Sequence, residues 1–417
     1  MIYLVYIYFI MIFSHINFSL LFLVIFLLNL VKSSCYEHPD PLNYFHVERI
    51  PCPYTINLDS QDTHINYGEN MFNITFYCND NDLILCNKAK KTFEMAGQII
   101  SETLILNTKI DVNATFFDLC GTDKEQCKNI SFRRIIGAAG PARSIILRDD
   151  DGVDRLYPQS LVKQFRFKNH PEYGQFDINA KFNSKVDYWF IEDNLSIGKN
   201  QIDFLYVVLH EFIHGLGFLS SWDNKNGFAS GWEDYMNDRP EALTPEISIS
   251  SSDATRQFKF NGFLESAFDR YMIHIPTGNK TSAFTGELNK FQEIVGVNFQ
   301  NEVDFVTKFH NSPQYQIAKT MMSFAVSPNT LGFLPRGATK ADDAIILETS
   351  LQPYQQGSSV SHVDLKTYNN TGDFLMKFLA DHGANLDNLI AARIGNNNGG
   401  HNAAIGPKLK LVLETLG

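Results

Sequence analysis

His210-Glu211-Phe212-Ile213-His214 places two imidazoles four positions apart, on one face of any helix that carries them, with a carboxylate beside the first. That spacing suits two nitrogen ligands on one metal ion and a general base that does not itself ligate. From Ile202 to Leu216 the chain reads IDFLYVVLHEFIHGL, apolar around almost the whole circumference of a helix, so the expected helix is buried. Buried imidazoles and a buried carboxylate are costly without partners. Two satisfied core histidines with a surface glutamate would be the plain alternative, and hydrolytic metal chemistry accounts for the pentad better.

The helix has readable ends. Asn200 and Asp203 form an N-cap pair ahead of the apolar run, and Gly215 and Gly217 are expected to stop it, turning the chain sharply under the site. HEFIHGLGF resembles the active-site helix of the metzincin zinc peptidases. In most of those a third histidine follows six residues after the second, and here that position is Ser220. A catalytic zinc takes three protein ligands and keeps one position open, so the third ligand must come from farther along. His362, in Gly357-Ser-Ser-Val-Ser-His-Val-Asp364, is the candidate, and Phe374-Leu-Met-Lys377, whose Met376 lies fourteen residues after it, looks like a Met-turn. This order resembles that of leishmanolysin-like secreted metzincins, in which an insertion separates the helix from a distal histidine. Ala267-Phe-Asp-Arg-Tyr-Met272 and a closing segment from Ile405 to Gly417, expected as a helix, extend the resemblance, which runs over residues 90 to 417.

The resemblance implies an α+β, two-lobed catalytic domain: a mixed twisted sheet with the active-site helix above, a loop-rich lower lobe with an insertion, and the metal between them. It implies Zn2+ on His210, His214 and His362, Glu211 as general base, and Met376 packed beneath the metal. Tyr368, close in sequence to His362, is a candidate for oxyanion support. A gluzincin-like alternative would take Glu233, nineteen residues past His214, as third ligand. The glycine break after the pentad and the turn-forming neighbours of Glu233 speak against it. His310, His382 and His401 sit among polar or loop-like residues and read as surface or loop histidines.

Several elements must position these residues. Lys88 to Leu106 has helical apolar spacing, Lys109 to Phe117 alternates like a strand, and Ala142 to Arg148 is a further strand. Phe176 to Asn183 alternates without a break, and the metzincin resemblance makes it the sheet edge on which an extended substrate pairs. Helices are expected at Gly262 to Met272 and Phe291 to Phe309. The whole divides into a signal peptide at 1–34, a loop-rich lead-in and candidate propeptide at 35–67, an upper subdomain at 68–220, an insertion at 221–356 and a lower subdomain at 357–417.

Composition bounds the function. With 417 residues and 44% hydrophobic content the chain is expected to be globular. Its formal charge is −11, and removal of residues 1–34, which hold one lysine and no acid, makes it −12; an acidic chain excludes nucleic acid as the expected partner. Phe18 to Val31 is a dense apolar run followed by Lys32-Ser-Ser, the pattern of a cleaved secretory leader; an uncleaved anchor over residues 1–31 is the alternative. Six cysteines fall in the first third of the chain. Short separations favour Cys78 with Cys86 and Cys120 with Cys127, leaving Cys35 with Cys52. Asn73, Asn113, Asn129, Asn194, Asn279 and Asn369 begin sequons, which are expected at the surface. The sequence therefore points to a secreted zinc endopeptidase acting on protein or peptide substrates. The other class is a binding or adhesion protein that keeps the scaffold without turnover.

Overall fold

The computed structural model describes residues 34–43, 47–56, 68–122, 135–223, 241–251, 258–395 and 400–417. The expected leader up to residue 33, Cys127, Asn129 and Glu233 lie outside the described residues. Among those described, no helix is long and apolar enough to cross a membrane.

The chain is a mixed α+β fold. A four-stranded sheet runs in the order Phe72–Cys78, Ile110–Phe117, Ile178–Asn183, Gly137–Pro141, the first three parallel and the last antiparallel. Parallel neighbours need a crossover, and helix Leu83–Thr103 supplies the first one. Asp82 caps it, accepting from the amides of Ile84 and Leu85, so the helix starts five residues before the expected Lys88. Ile110, Val112, Ala114 and Phe116 are buried while their alternate neighbours are half-exposed, so this sheet buries one face. Helix Phe204–Gly215 packs on that face beside Leu83–Thr103. The ring of Phe93 lies 5.1, 5.6 and 6.0 Å from those of Phe182, Phe204 and Phe212, joining sheet and both helices in one aromatic core.

The expected substrate edge is corrected here. Ile178–Asn183 is an interior strand with neighbours on both sides, and the edge beside it is Gly137–Pro141. The sequence GAAGP shows no apolar-polar alternation, which hid it, while Pro141 lacks an amide donor and suits an edge. Both glycines expected to end the helix Phe204–Gly215 also need refinement. Gly217 turns the chain with φ +109, whereas Gly215 is still helical and lies directly over the sheet, where a Cβ would sit 2.6 Å from Ile178 Cγ2. Gly215→Ala is expected to cost about 1–3 kcal/mol by overpacking, read as a lower urea midpoint. An unchanged midpoint would remove the close-packing role.

A second, seven-stranded sheet joins regions far apart in sequence. Its order is Glu246–Ser251, Phe258–Ser266, Asp154–Pro158, Arg143–Arg148, Ser34–Glu37, Glu48–Pro51, with Asn298–Phe299 pairing on Phe258–Ser266. Ser34–Glu37 is therefore an interior strand. Cys35 and Tyr36 are buried, the Tyr36 hydroxyl bonds Ser248 Oγ at 2.6 Å, and Cys35 is disulfide-bonded to Cys52. The described part of the lead-in is thus built into the body of the fold. Ser34–Glu37 pairs on one side with Glu48–Pro51 and on the other with Arg143–Arg148, more than a hundred residues away and beyond any local pattern. The insertion likewise contributes strands to this sheet. Gly262 to Met272, expected as a helix, is the end of strand Phe258–Ser266 followed by a short turn at Asp269–Tyr271, with Gly262 at φ +118 opposite the register shift between Ser248 and Ile249. The expected helix Phe291 to Phe309 is broken by Gly296 at φ +85 into Phe291–Val295 and Glu302–His310.

Cys78 pairs with Cys86 as expected, and Cys120 is also disulfide-bonded. Of the sequon asparagines, Asn73, Asn194 and Asn279 are exposed, whereas Asn113 and Asn369 are half-buried, the Asn113 amide donating to Asn179 across the sheet. The closing helix Pro407–Leu416 buries Leu409, Val412, Leu413 and Leu416, and Asp373 caps it by accepting from the amides of Lys408 and Leu409.

Candidate metal centre

Asp203 starts the helix that carries His210, Glu211 and His214. One of its carboxylate oxygens accepts from Leu205 N and the other from Leu386 N, tying the helix to the C-terminal segment; Asn200 caps nothing with its side chain. All twelve residues Phe204–Gly215 are buried, so the helix needs no polar face and holds His210, Glu211 and His214 by packing on every side.

His362 reaches the same point from a segment clamped on both sides. Glu348 N donates to the His362 carbonyl at 2.8 Å, and Val363 N donates to the Met376 carbonyl at 2.9 Å. Val360, buried at φ +67, takes a backbone conformation strained for a β-branched residue, within the turn that returns the Ser358 carbonyl to His362. Ser220, at the position where a near third histidine would stand, instead donates to Asp269 Oδ1 at 2.6 Å, and Asp269 also accepts from the amides of Ser221 and Ser266. Asp269, fully buried, thereby fixes the chain leaving the helix.

The Nε2 atoms of His210, His214 and His362 lie 3.1, 3.2 and 3.3 Å from one another. Their Nδ1 atoms lie 2.8, 2.8 and 3.0 Å from the carbonyls of Leu375, Phe218 and Ser358. A carbonyl only accepts, so each Nδ1 carries the hydrogen and each Nε2 presents a lone pair. Three lone pairs facing one point within hydrogen-bond distance repel unless a cation sits among them. Nitrogen donors about 2.0–2.1 Å from a tetrahedral ion stand about 3.3–3.4 Å apart, so the donor set fits zinc. Among the described residues these histidines are the one cluster of three or more potential ligand side chains.

Electrostatics agree with the geometry. Burial holds His210 down to about 4; burial and the neighbouring His210 hold His214 down to about 3. His362 is held well below its ordinary value by burial and by both other imidazoles. All three are therefore neutral at pH 7, the form that ligates. Glu211 is pushed up to about 7 by burial, an effect opposed by the Ala139 amide, which donates to its Oε2 at 2.8 Å. The sheet edge thus touches the carboxylate directly.

These groups line a cleft of about 480 Å3, walled by Ile135 to Ala139 on the edge strand and its approach, and by Trp222, Tyr354, Gln356 and residues 377–380 opposite. A larger hollow of about 590 Å3 lies away from the histidines, among Tyr54, Phe167, Tyr271 and Arg336; its Arg148 and Arg270 are paired with Asp154, Asp149 and Asp150, and it offers no comparable chemistry.

Met376 is fully buried in the turn whose Leu375 carbonyl also accepts from the Tyr206 hydroxyl, so the predicted turn does lie against the site. Tyr368 is not brought to the cleft: it is buried, and its hydroxyl accepts from Ile346 N at 3.1 Å. Nearness in sequence says nothing of side-chain direction. His401 pairs with Asp387 and His310 stacks on Tyr315, both away from the triad. His382, read as a loop histidine, lies on the cleft wall. Sequence reasoning missed the Ala139 amide and the three orienting carbonyls, because main-chain groups leave no mark in residue type.

A family model described as SPBPB7E8-like matches residues 52–417. A Schizosaccharomyces pombe protein named "Uncharacterized protein PB7E8.01" is 30% identical over 386 residues, covering 87% of this chain and 65% of that protein. The chain therefore spans just under two thirds of the length of this curated relative. No solved structure matches the chain. With the four-stranded sheet, helix Phe204–Gly215 and all three histidines inside the matched region, the chain belongs to the SPBPB7E8-like family.

Proposed function

We propose that the protein is a zinc-dependent endopeptidase of metzincin type, with His210, His214 and His362 as ligands and Glu211 as general base. The observation that carries this reading is the convergence of three neutral imidazole lone pairs beside a buried carboxylate in an open cleft. Imidazole donors suit zinc, and three of them leave a coordination position free. When bound, zinc supplies Lewis acidity, acidifying water and polarising a carbonyl. Glu211, held by the Ala139 amide and raised to about 7, is matched to accept a proton at neutral pH and to pass it to the leaving amine.

Peptides are favoured as substrates because the Gly137–Pro141 edge borders the cleft, and an extended chain adds to such an edge through main-chain hydrogen bonds. In this reading the four-stranded sheet with its two helices is the upper lobe, and residues 357–417 are the lower. Disulfides together with the charge-free opening of the sequence support secretion. A silent scaffold would have no use for Glu211, whose burial is costly without chemistry.

The test is metal content with proteolysis of a denatured protein. Chelation is expected to abolish cleavage and added zinc to restore it. Zinc-loaded protein that leaves the denatured chain intact would favour the binding-protein reading.

A further inference from the structure

Resting on the reading of this cleft as a peptide-cleaving site, we propose that His382 is a substrate-contacting, specificity-determining residue whose Nε2 accepts a hydrogen bond from an N–H or hydroxyl of the bound peptide. His382 lines the same cleft as the triad and is solvent-exposed. Its Nδ1 lies 3.0 Å from the Asn200 carbonyl, so that nitrogen donates and Nε2 of the neutral ring is left as an acceptor. No group of the protein bonds that nitrogen among the described residues.

The ring is held in place rather than hung on a loose loop. Gly383 N donates to the Gln201 carbonyl at 2.9 Å, and Leu386 N to Asp203 Oδ2 at 2.7 Å. Gly383, at φ +71, lies so close to Lys199 that a Cβ would approach its carbonyl oxygen to 3.0 Å. Asn200 to Asp203 lead straight into the metal-facing helix, so His382 and the triad share one rigid frame.

Most other polar groups on the wall are already engaged. Tyr206 and Tyr354 donate to the carbonyls of Leu375 and Trp222, and Lys377 Nζ donates to Asn369 and Asp381. Of the exposed lining residues, only Gln356 and His382 offer hydrogen-bonding side chains, and the His382 ring has its orientation set by the bond to Asn200. A fixed acceptor selects a donor, such as a main-chain amide or a serine or threonine hydroxyl, over a substrate carboxylate.

The test uses the full zinc-loaded chain carrying Glu211→Gln, which binds without turnover, and fluorescein-labelled, reduced and alkylated insulin B chain as the probe, read by anisotropy. Adding His382→Ala is expected to weaken binding about three- to tenfold, the range of one neutral hydrogen bond. His382→Phe should behave like the alanine variant, and His382→Gln, which retains an acceptor, should recover most of the affinity, with zinc content equal in all. Equal binding by all variants overturns the role of His382. Equal weakening by all three, with zinc lost, also overturns it by showing a structural role. Absence of binding by the zinc-loaded parent would instead overturn the peptidase reading itself.

Discussion

Replacing Glu211 with glutamine is expected to lower proteolysis by about two to four powers of ten while zinc remains bound. Glutamine preserves side-chain size and keeps an oxygen that can accept from the Ala139 amide, so the cleft should retain its shape. It lacks only the capacity to take a proton. Because burial raises the Glu211 carboxyl to about 7, the wild-type side chain exchanges protons at the pH where the reaction would run, and the amide cannot. Metal content by mass spectrometry and initial rates on a denatured protein separate the two effects. Near-normal proteolysis by the glutamine variant would remove Glu211 from the mechanism.

His362→Ala is expected to strip zinc. Loss of a residue that merely orients a ligand costs about 10–100-fold in metal affinity, and loss of a ligand should exceed that. The remaining pair, His210 and His214, would be left with two donors 3.2 Å apart and no third. His401→Ala and Glu233→Ala should keep their metal, the first because His401 pairs with Asp387 away from the triad. Folded variants, checked by circular dichroism, are compared for zinc per chain after dialysis against a weak chelator. Zinc retained by His362→Ala but lost from Glu233→Ala would overturn the proposed ligand set.

How much of this was legible in the sequence depended on whether a feature is local. His210, Glu211 and His214 could be read together because a helix converts a spacing of four into a shared face. Strand Ile110–Phe117 was legible because its alternating burial follows its alternating residue types. His362 joined them only through a resemblance, since 148 residues separate it from His214 and no periodicity spans that gap. Gly137–Pro141 was overlooked as an edge because small residues carry no alternation, and credit passed to the better-patterned Ile178–Asn183 beside it. Ser34–Glu37 was not read as a strand because the prolines at 39, 41, 51 and 53 dominate the segment around it, while its place in the sheet is set by Arg143–Arg148 and Glu48–Pro51. Tyr368 was misjudged for the opposite reason: its place in the chain was right, but a helical turn aimed its hydroxyl at Ile346.

The three hydrogen bonds that orient the imidazoles all end on main-chain oxygens, those of residues 218, 358 and 375. A carboxylate partner can be deleted by one codon change; a carbonyl cannot, because every amino acid brings one. Positions 218, 358 and 375 can therefore change residue type without losing the orienting group, provided the backbone path survives. Substitutions that damage the centre then fall on the three histidines and Glu211, on side chains that hold the backbone path, such as Asp203 and Asp269, and on positions that bend the chain, such as Gly217 at φ +109.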